Sequence, residues 1–324
     1  MNPRQEVIAT LSYYDFLDIP LTVDEVFRFL IRASESEHRE RGGFQSLDIV
    51  SPNIWSRHDV VTELERLQSA GTVQERNSYF HLHGREYLIP LRLRHEEFFK
   101  KKWRRAMRIA RALQTIPFIR AIFASGSLAL GSTDEMSDLD VLVVARHGRI
   151  WLTRLFVLGL LEIFGIRRTH RDSIAPDKVC PNHFITDQSL AIPFHSLYTA
   201  QMYANLRPLF AVSSELLERF RIENEWLFHH LYHWQMTEPA VRKHILHIAI
   251  RKAGETILFG PIGDVAEWLA RRFQTWLINR HRKPTLERTG HLVYDDSMLA
   301  FHEGSSEQDI LERYTGFLKR FVVG

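Results

Sequence analysis

Apolar positions over the first ninety residues repeat at three- and four-residue intervals and then change to alternation. Val7, Leu11 and Tyr14 share one helical face. Thr22 followed by Glu25 forms a capping box, and Val26, Phe27, Leu30 and Ile31 continue an apolar face behind it. A loop containing Gly42 and Gly43 precedes a third helix over 57–70, whose face is Val60, Leu64 and Leu67 and whose stop is Gly71. The segments 72–76 and 79–83 flank Asn77 and Ser78 and predict a hairpin. Three helices followed by a hairpin predict a winged helix over residues 1–92. A helix over 95–115 carries Trp103, Ala106, Met107, Ala110 and Leu113 as its stripe, and Pro117 ends it. Strands are expected over 118–124, 139–145 and 178–185, with a largely buried helix over 150–164. From residue 189 onward helices are expected over 214–220, 223–234, 239–257, 265–280 and 308–321, with an irregular stretch over 290–304. Trp226, Trp234, Trp268 and Trp276 read as packing anchors of that helical bundle. The resulting expectation is an α+β chain in three parts: 1–92, 93–190 and a mostly helical 191–324.

The central alternation carries the chemistry. Residues 118–145 read FIRAIFASGSLALGSTDEMSDLDVLVVA. An apolar run ends at Gly126 and Ser127, a short loop follows, and a second apolar run opens with Asp138 and Asp140. Side chains at i and i+2 of a strand point to the same side, so both carboxylates leave on one face. Close like charges force one acid to hold its proton unless a cation lies between them. Magnesium is the hard divalent ion that suits carboxylate and phosphate oxygens. The Gly126–Ser127 turn offers free backbone N–H groups and a hydroxyl, which suit an anionic phosphate.

These residues resemble the motif of the polymerase-β-like nucleotidyltransferase superfamily: Ser125-Gly126-Ser127, a spacer, then Ser137-Asp138-Leu139-Asp140-Val141 in an apolar strand. The resemblance is greatest to small single-chain bacterial members and covers roughly residues 100–190. It implies that Asp138 and Asp140 hold one or two Mg²⁺ ions and that Gly126, Ser127 and Ser137 bind a nucleoside triphosphate, with ATP the expected one. It further implies transfer of a nucleoside monophosphate to a hydroxyl, with RNA, a protein side chain or a small molecule as acceptor. Members of that superfamily usually carry a third carboxylate on the next strand. The corresponding stretch here, 178–185, contains no acid. Asn182 or His183 stands where it would be, Asn182 as an oxygen ligand and His183 as a general base, while Asp177 and Asp187 flank the strand. A catalytically impaired nucleotide- or nucleic-acid-binding regulatory module, or a toxin–antitoxin component, is the alternative expectation.

Composition narrows this only modestly. The 324 residues are 45% hydrophobic and 25% charged with a formal net charge of +3, the balance of a soluble globular protein rather than of a general polyanion binder. The single cysteine, Cys180, excludes an internal disulfide and fits a reducing, cytoplasmic setting; it reads as strand interior. The opening MNPRQEVIATL lacks the apolar core of a signal peptide. The run 151–166 is interrupted by Arg154 and Glu162 and is too short to span a bilayer. The third helix bears Asp59, Glu63 and Glu65 against Arg57 and Arg66, so sequence-specific DNA binding is not expected, and a protein-contact or substrate-orienting role fits better. Lys101, Arg104, Arg105, Arg108 and Arg111 crowd the following helix, as a solvated face or as a rail for nucleic acid or triphosphate. His229, His230 and His233 lack an acid or thiol to complete a metal set. Arg242 and His247 have the Arg-x4-His spacing of helical HEPN ribonucleases, a spacing that 17 histidines readily produce by chance.

Overall fold

The computed structural model describes residues 3–32, 55–169, 172, 174–281, 292–301 and 305–322. The loop holding Gly42 and Gly43 lies outside them. The first unit contains α1 (Pro3–Asp15), α2 (Val23–Arg28), α3 (Arg57–Ser69), β1 (Val73–Arg76) and β2 (Tyr79–Leu82). Thr22 caps α2 as its sequence predicts, accepting from the Glu25 N–H while Glu25 reaches back to the Thr22 N–H. Ser56 and Asp59 form a second capping box on α3. Strands β1 and β2 pair antiparallel, and Leu21 bridges Phe80, so the segment before α2 joins the hairpin.

Helix α4 (Leu88–Leu113) begins seven residues earlier than the periodicity suggests, with Pro90 tolerated in its first turn. The extra turns bury Leu88 and Ile89 and bring Arg92 to within 2.6 Å of Glu25, which fastens α4 to the N-terminal unit. After it come β3 (Ile119–Ala124), the short α5 (Gly126–Leu130), β4 (Leu139–Ala145), α6 (Ile150–Ile163), β5 (Val179–Thr186), α7 (Leu197–Ala204), β6 (Arg207–Ala211) and α8 (Ser214–Glu223). The C-terminal part adds α9 (Ile245–Ile257), α10 (Gly260–His281), β7 (Leu292–Tyr294), β8 (Met298–Phe301) and α11 (Ser305–Val322). The fold is α+β, with helices around a mixed sheet of order β6-β3-β4-β5-β8-β7. Only β4 and β5 are parallel.

Strand β4 is central, and its residues divide between two cores. Val141 and Val143 pack with α4 and α6, where Trp151 is buried, and Leu142 and Val144 pack with α7 and α8. Asp138 and Asp140 continue the alternation toward the N-terminal edge of the strand, where the helical cover ends and Asp138 borders a cavity.

Three expectations for the C-terminal part are corrected. The 290–304 stretch contains β7 and β8, which add to the β5 edge, and β6 adds to β3 at the other edge. The sheet therefore runs across the boundary expected at residue 190. The helix expected over 223–234 is limited to one 3₁₀ turn, Glu225–His229, because residues 230–232 bond instead to the N-terminal unit: Arg32 donates to the His230 carbonyl at 2.7 Å and Tyr232 to the Leu30 carbonyl at 3.2 Å. The helix expected from residue 239 starts at Ile245, because Ala240 and Val241 donate to the carbonyls of Pro208 and Leu209 along β6. Trp234 is a buried anchor as expected, whereas Trp268 and Trp276 are more than half exposed.

Buried polar contacts join the N-terminal unit to the sheet. The Tyr14 hydroxyl donates to Gln201 Oε1 at 2.7 Å and accepts from Asn205 Nδ2 at 3.1 Å, while Gln201 Nε2 donates to the Phe29 carbonyl at 3.1 Å. All three side chains are enclosed, so loss of one member leaves the others without water as a replacement. Tyr14→Phe is expected to lower stability by about 1–3 kcal/mol, read from urea denaturation, with secondary structure unchanged.

Candidate active site

The acids are delivered by a stiff loop. Ser137 donates from its N–H and its hydroxyl to Asp134 Oδ1, both at 2.6 Å, and the Asp134 N–H donates back to Ser137 Oγ at 3.0 Å. This closed turn sits directly before Asp138. Lys102 of α4 reaches beneath it. Its Nζ donates to the Ser137 carbonyl at 2.7 Å, the Glu135 carbonyl at 3.2 Å and Asp177 Oδ1 at 2.9 Å, and only 3% of its side chain is exposed. Arg105, one turn on, donates to the Asp177 carbonyl at 3.1 Å. A buried ammonium that meets three oxygens is well satisfied, so the clamp holds the loop at little desolvation cost.

On the other side, β3 passes into α5 through Ser125, whose N–H donates to the Asp140 carbonyl at 3.0 Å. Gly126 has φ +57°. A Cβ built there would lie 2.5 Å from Asp140 Oδ2. Glycine is therefore required twice, by the left-handed backbone and by the carboxylate against its Cα. Burial first, and the Asp138 charge second, push Asp140 up to about 7.

Asp138 accepts from Arg168 at 2.5 Å. Burial alone would lower the Arg168 pKa, but the Asp138 contact outweighs it and the guanidinium is raised. Arg168 follows a short extended stretch after α6 that bonds to the first residue of β5: Val179 donates to the Ile166 carbonyl and Arg168 to the Val179 carbonyl. The pair is not sealed in. Asp134, Met136, Ser137, Asp138, Arg168 and Ile174 border an open cavity of about 200 Å³.

Asp138 and Asp140 come together, and the third member of the cluster is Cys180: one ligand atom from each lies within 4.8 Å of the others. Cys180 is the register partner of Asp140 across the β4–β5 pair. Burial and the two acids push its thiol well up, so it stays protonated beside Asp140. Asn182 Nδ2 lies 3.5 Å from Asp140 Oδ1, at a register shift in the same pair. His183 is placed differently from its expected use as a base. It pairs with Leu142, is 2% exposed, and its Nδ1 is 2.7 Å from the Tyr203 hydroxyl of α7, so the ring is part of the core. Ser137 borders the cavity with its hydroxyl engaged by Asp134, and Ser127 stands in the first turn of α5. His229, His230 and His233 join no metal-type cluster among the described residues.

Lys102, Arg168 and Cys180 were not singled out as site residues by the sequence. The only available signal for Cys180 was its place on the strand expected beside the paired acids. Chemically, two carboxylate oxygens at this spacing fit a hard divalent cation, while a protonated thiol adds little to such a ligand set.

Residues 106–232 match the family model described as "Nucleotidyltransferase domain", a span that opens within α4 and contains Gly126, Asp138, Asp140, Arg168 and Cys180. No curated protein and no solved structure gives a significant match to the chain. The matched span, together with the glycine turn and the paired acids inside it, identifies residues 106–232 as a nucleotidyltransferase domain, in keeping with the polymerase-β-like motif, and makes the chain a transferase enzyme.

Proposed function

We propose that the chain moves a nucleoside monophosphate from a nucleoside triphosphate, with ATP the first candidate, to a hydroxyl, and that this requires a divalent cation held by Asp138 and Asp140. The observation that carries the reading is the convergence of these two carboxylates, Asp140 against Gly126 and Asp138 at the border of an open cavity. Magnesium bound there would supply charge neutralisation for the triphosphate and the leaving pyrophosphate. The protein's own share is positioning. The first turn of α5 presents the Gly126 and Ser127 backbone beside the acids. Arg168 is the cation nearest the acids in the cavity lining, and its planar donors suit phosphate oxygens. In this reading it leaves Asp138 for the triphosphate when substrate enters.

No acid occurs within β5, so activation of the attacking hydroxyl falls to the Asp138–Asp140 pair, with Asn182 orienting Asp140. The acceptor is RNA, a protein or a small molecule. The acidic residues of α3 disfavour DNA reading there. The impaired-module reading draws on the missing acid and on the Arg168–Asp138 pair, and it requires nucleotide binding without turnover.

Asp138→Ala and Asp140→Ala are each expected to cut pyrophosphate release from labelled triphosphate at least about a hundredfold while circular dichroism stays unchanged. Retained turnover in both variants would refute the assignment. Arg168→Ala is expected to raise KM for the triphosphate about tenfold with kcat changed less, as measured by steady-state kinetics. Gly126→Ala must displace Asp140 and is expected to lose about a hundredfold in kcat, a loss that a merely structural glycine would not give.

A further inference from the structure

Helix α10 is apolar on two opposite sides. Its inner side packs on α6. Ala270 is buried, Gln274 Nε2 donates to the Trp151 carbonyl at 2.7 Å, and Glu267 accepts from the Trp151 and Leu152 N–H groups at 2.9 Å each. The outer side carries Ile262, Val265, Leu269, Phe273 and Trp276, each more than half exposed. Their spacing of three, four, four and three residues makes one straight stripe, about 21 Å long at the helical rise. Trp268 flanks the stripe and is also more than half exposed. Helix α9 repeats the feature with Leu246, Ile250 and Ile257 outward, and Phe259 protrudes from the turn between the helices. An exposed apolar run of this length marks a contact surface rather than scattered surface residues.

The charges around the stripe indicate what covers it. Residues 245–281 hold three acids, and each has a partner elsewhere in the fold. Glu255 meets Arg120 at 2.7 Å, Asp264 meets Arg149 at 2.6 Å, and Glu267 caps α6. The cations beside the stripe turn outward. Arg272 lies 5.4 Å from the centre of the Trp268 ring, and Arg280 lies 5.4 Å from that of Trp276. Lys252 is exposed on α9. Among the described residues, the outer face thus combines tryptophan, phenylalanine and branched aliphatics with arginine, and no acid lies in the stripe.

We propose that the outer face of α10 docks on an anionic lipid surface. Trp268, Phe273 and Trp276 enter the boundary between headgroups and acyl chains, and Arg272 and Arg280 meet lipid phosphates. Tryptophan and arginine flanking an apolar helical stripe are the residue types that hold a helix in the plane of that boundary. No described helix is long and apolar enough to cross a membrane, so the contact is with one leaflet. A second copy fits less well. An isologous pair of outer faces would bring the arginines of both copies together, and the described acids of α9 and α10 are already engaged elsewhere in the fold. The proposal is independent of nucleotidyl transfer.

The test is cosedimentation of the full chain with phosphatidylcholine vesicles, with and without phosphatidylglycerol, alongside light scattering. The expected result is binding to the anionic vesicles that weakens with salt. The double variant Leu269→Glu/Phe273→Glu loses it at least about tenfold. Arg272→Glu/Arg280→Glu weakens binding to anionic vesicles about tenfold or more, with circular dichroism unchanged in both variants. Wild-type protein that stays in the supernatant with both vesicle types overturns the proposal. So does a wild-type dimer that Leu269→Glu/Phe273→Glu splits without any vesicle binding, since that assigns the face to a second copy. Equal binding to neutral and anionic vesicles overturns the anionic part.

Discussion

The Asp140 carboxylate lies against the Cα of Gly126, and most of the site follows from that contact. No residue with a Cβ fits there without displacing the acid, so the turn from β3 into α5 and the start of β4 are fixed relative to each other. The same contact takes the carboxylate away from water while Asp138 stands beside it, and the ionised form of Asp140 becomes costly. Two acids held this close form a cluster that could hold a cation. Arg168 offsets part of their charge through Asp138.

Positioning extends outward from this contact along α4. Near its start the helix holds the N-terminal unit through Arg92 and Glu25. In its middle Lys102 holds the loop that delivers Asp138. One helix thus contacts both the N-terminal unit and the loop before the acids. The sheet that carries them is assembled from distant pieces, because β6 and the β7–β8 pair come from the C-terminal part. The Tyr14, Gln201 and Asn205 contacts join the first helix to the cover of that sheet.

What was legible in the sequence was local. Gly126, Asp138 and Asp140 fall within fifteen residues and declare themselves by turn chemistry and strand alternation, and the capping box of α2 does the same. What was not legible is tertiary. Lys102 sits in a run of three lysines, and nothing in that run distinguishes the one that is buried from its exposed neighbours. Arg168 reads as a helix-flanking charge until the extended segment at Ile166 turns it toward Asp138. The helix expected over 223–234 has the right periodicity but loses its second half to backbone bonds with residues 30–32. Trp268 and Trp276 read as core because aromatic residues at helical spacing usually are; α10 buries its opposite side instead.

In the proposed function Asp138 and Asp140 share a cation that holds a triphosphate, and Arg168 changes partner when it binds. A crystal structure with Mg²⁺ and a non-hydrolysable triphosphate tests this most directly. The ion is expected between the two carboxylates, the phosphates beside Gly126 and Ser127, and the Arg168 guanidinium moved from Asp138 to a phosphate oxygen. A nucleotide bound elsewhere, with Arg168 still on Asp138 and no ion at the pair, would contradict it.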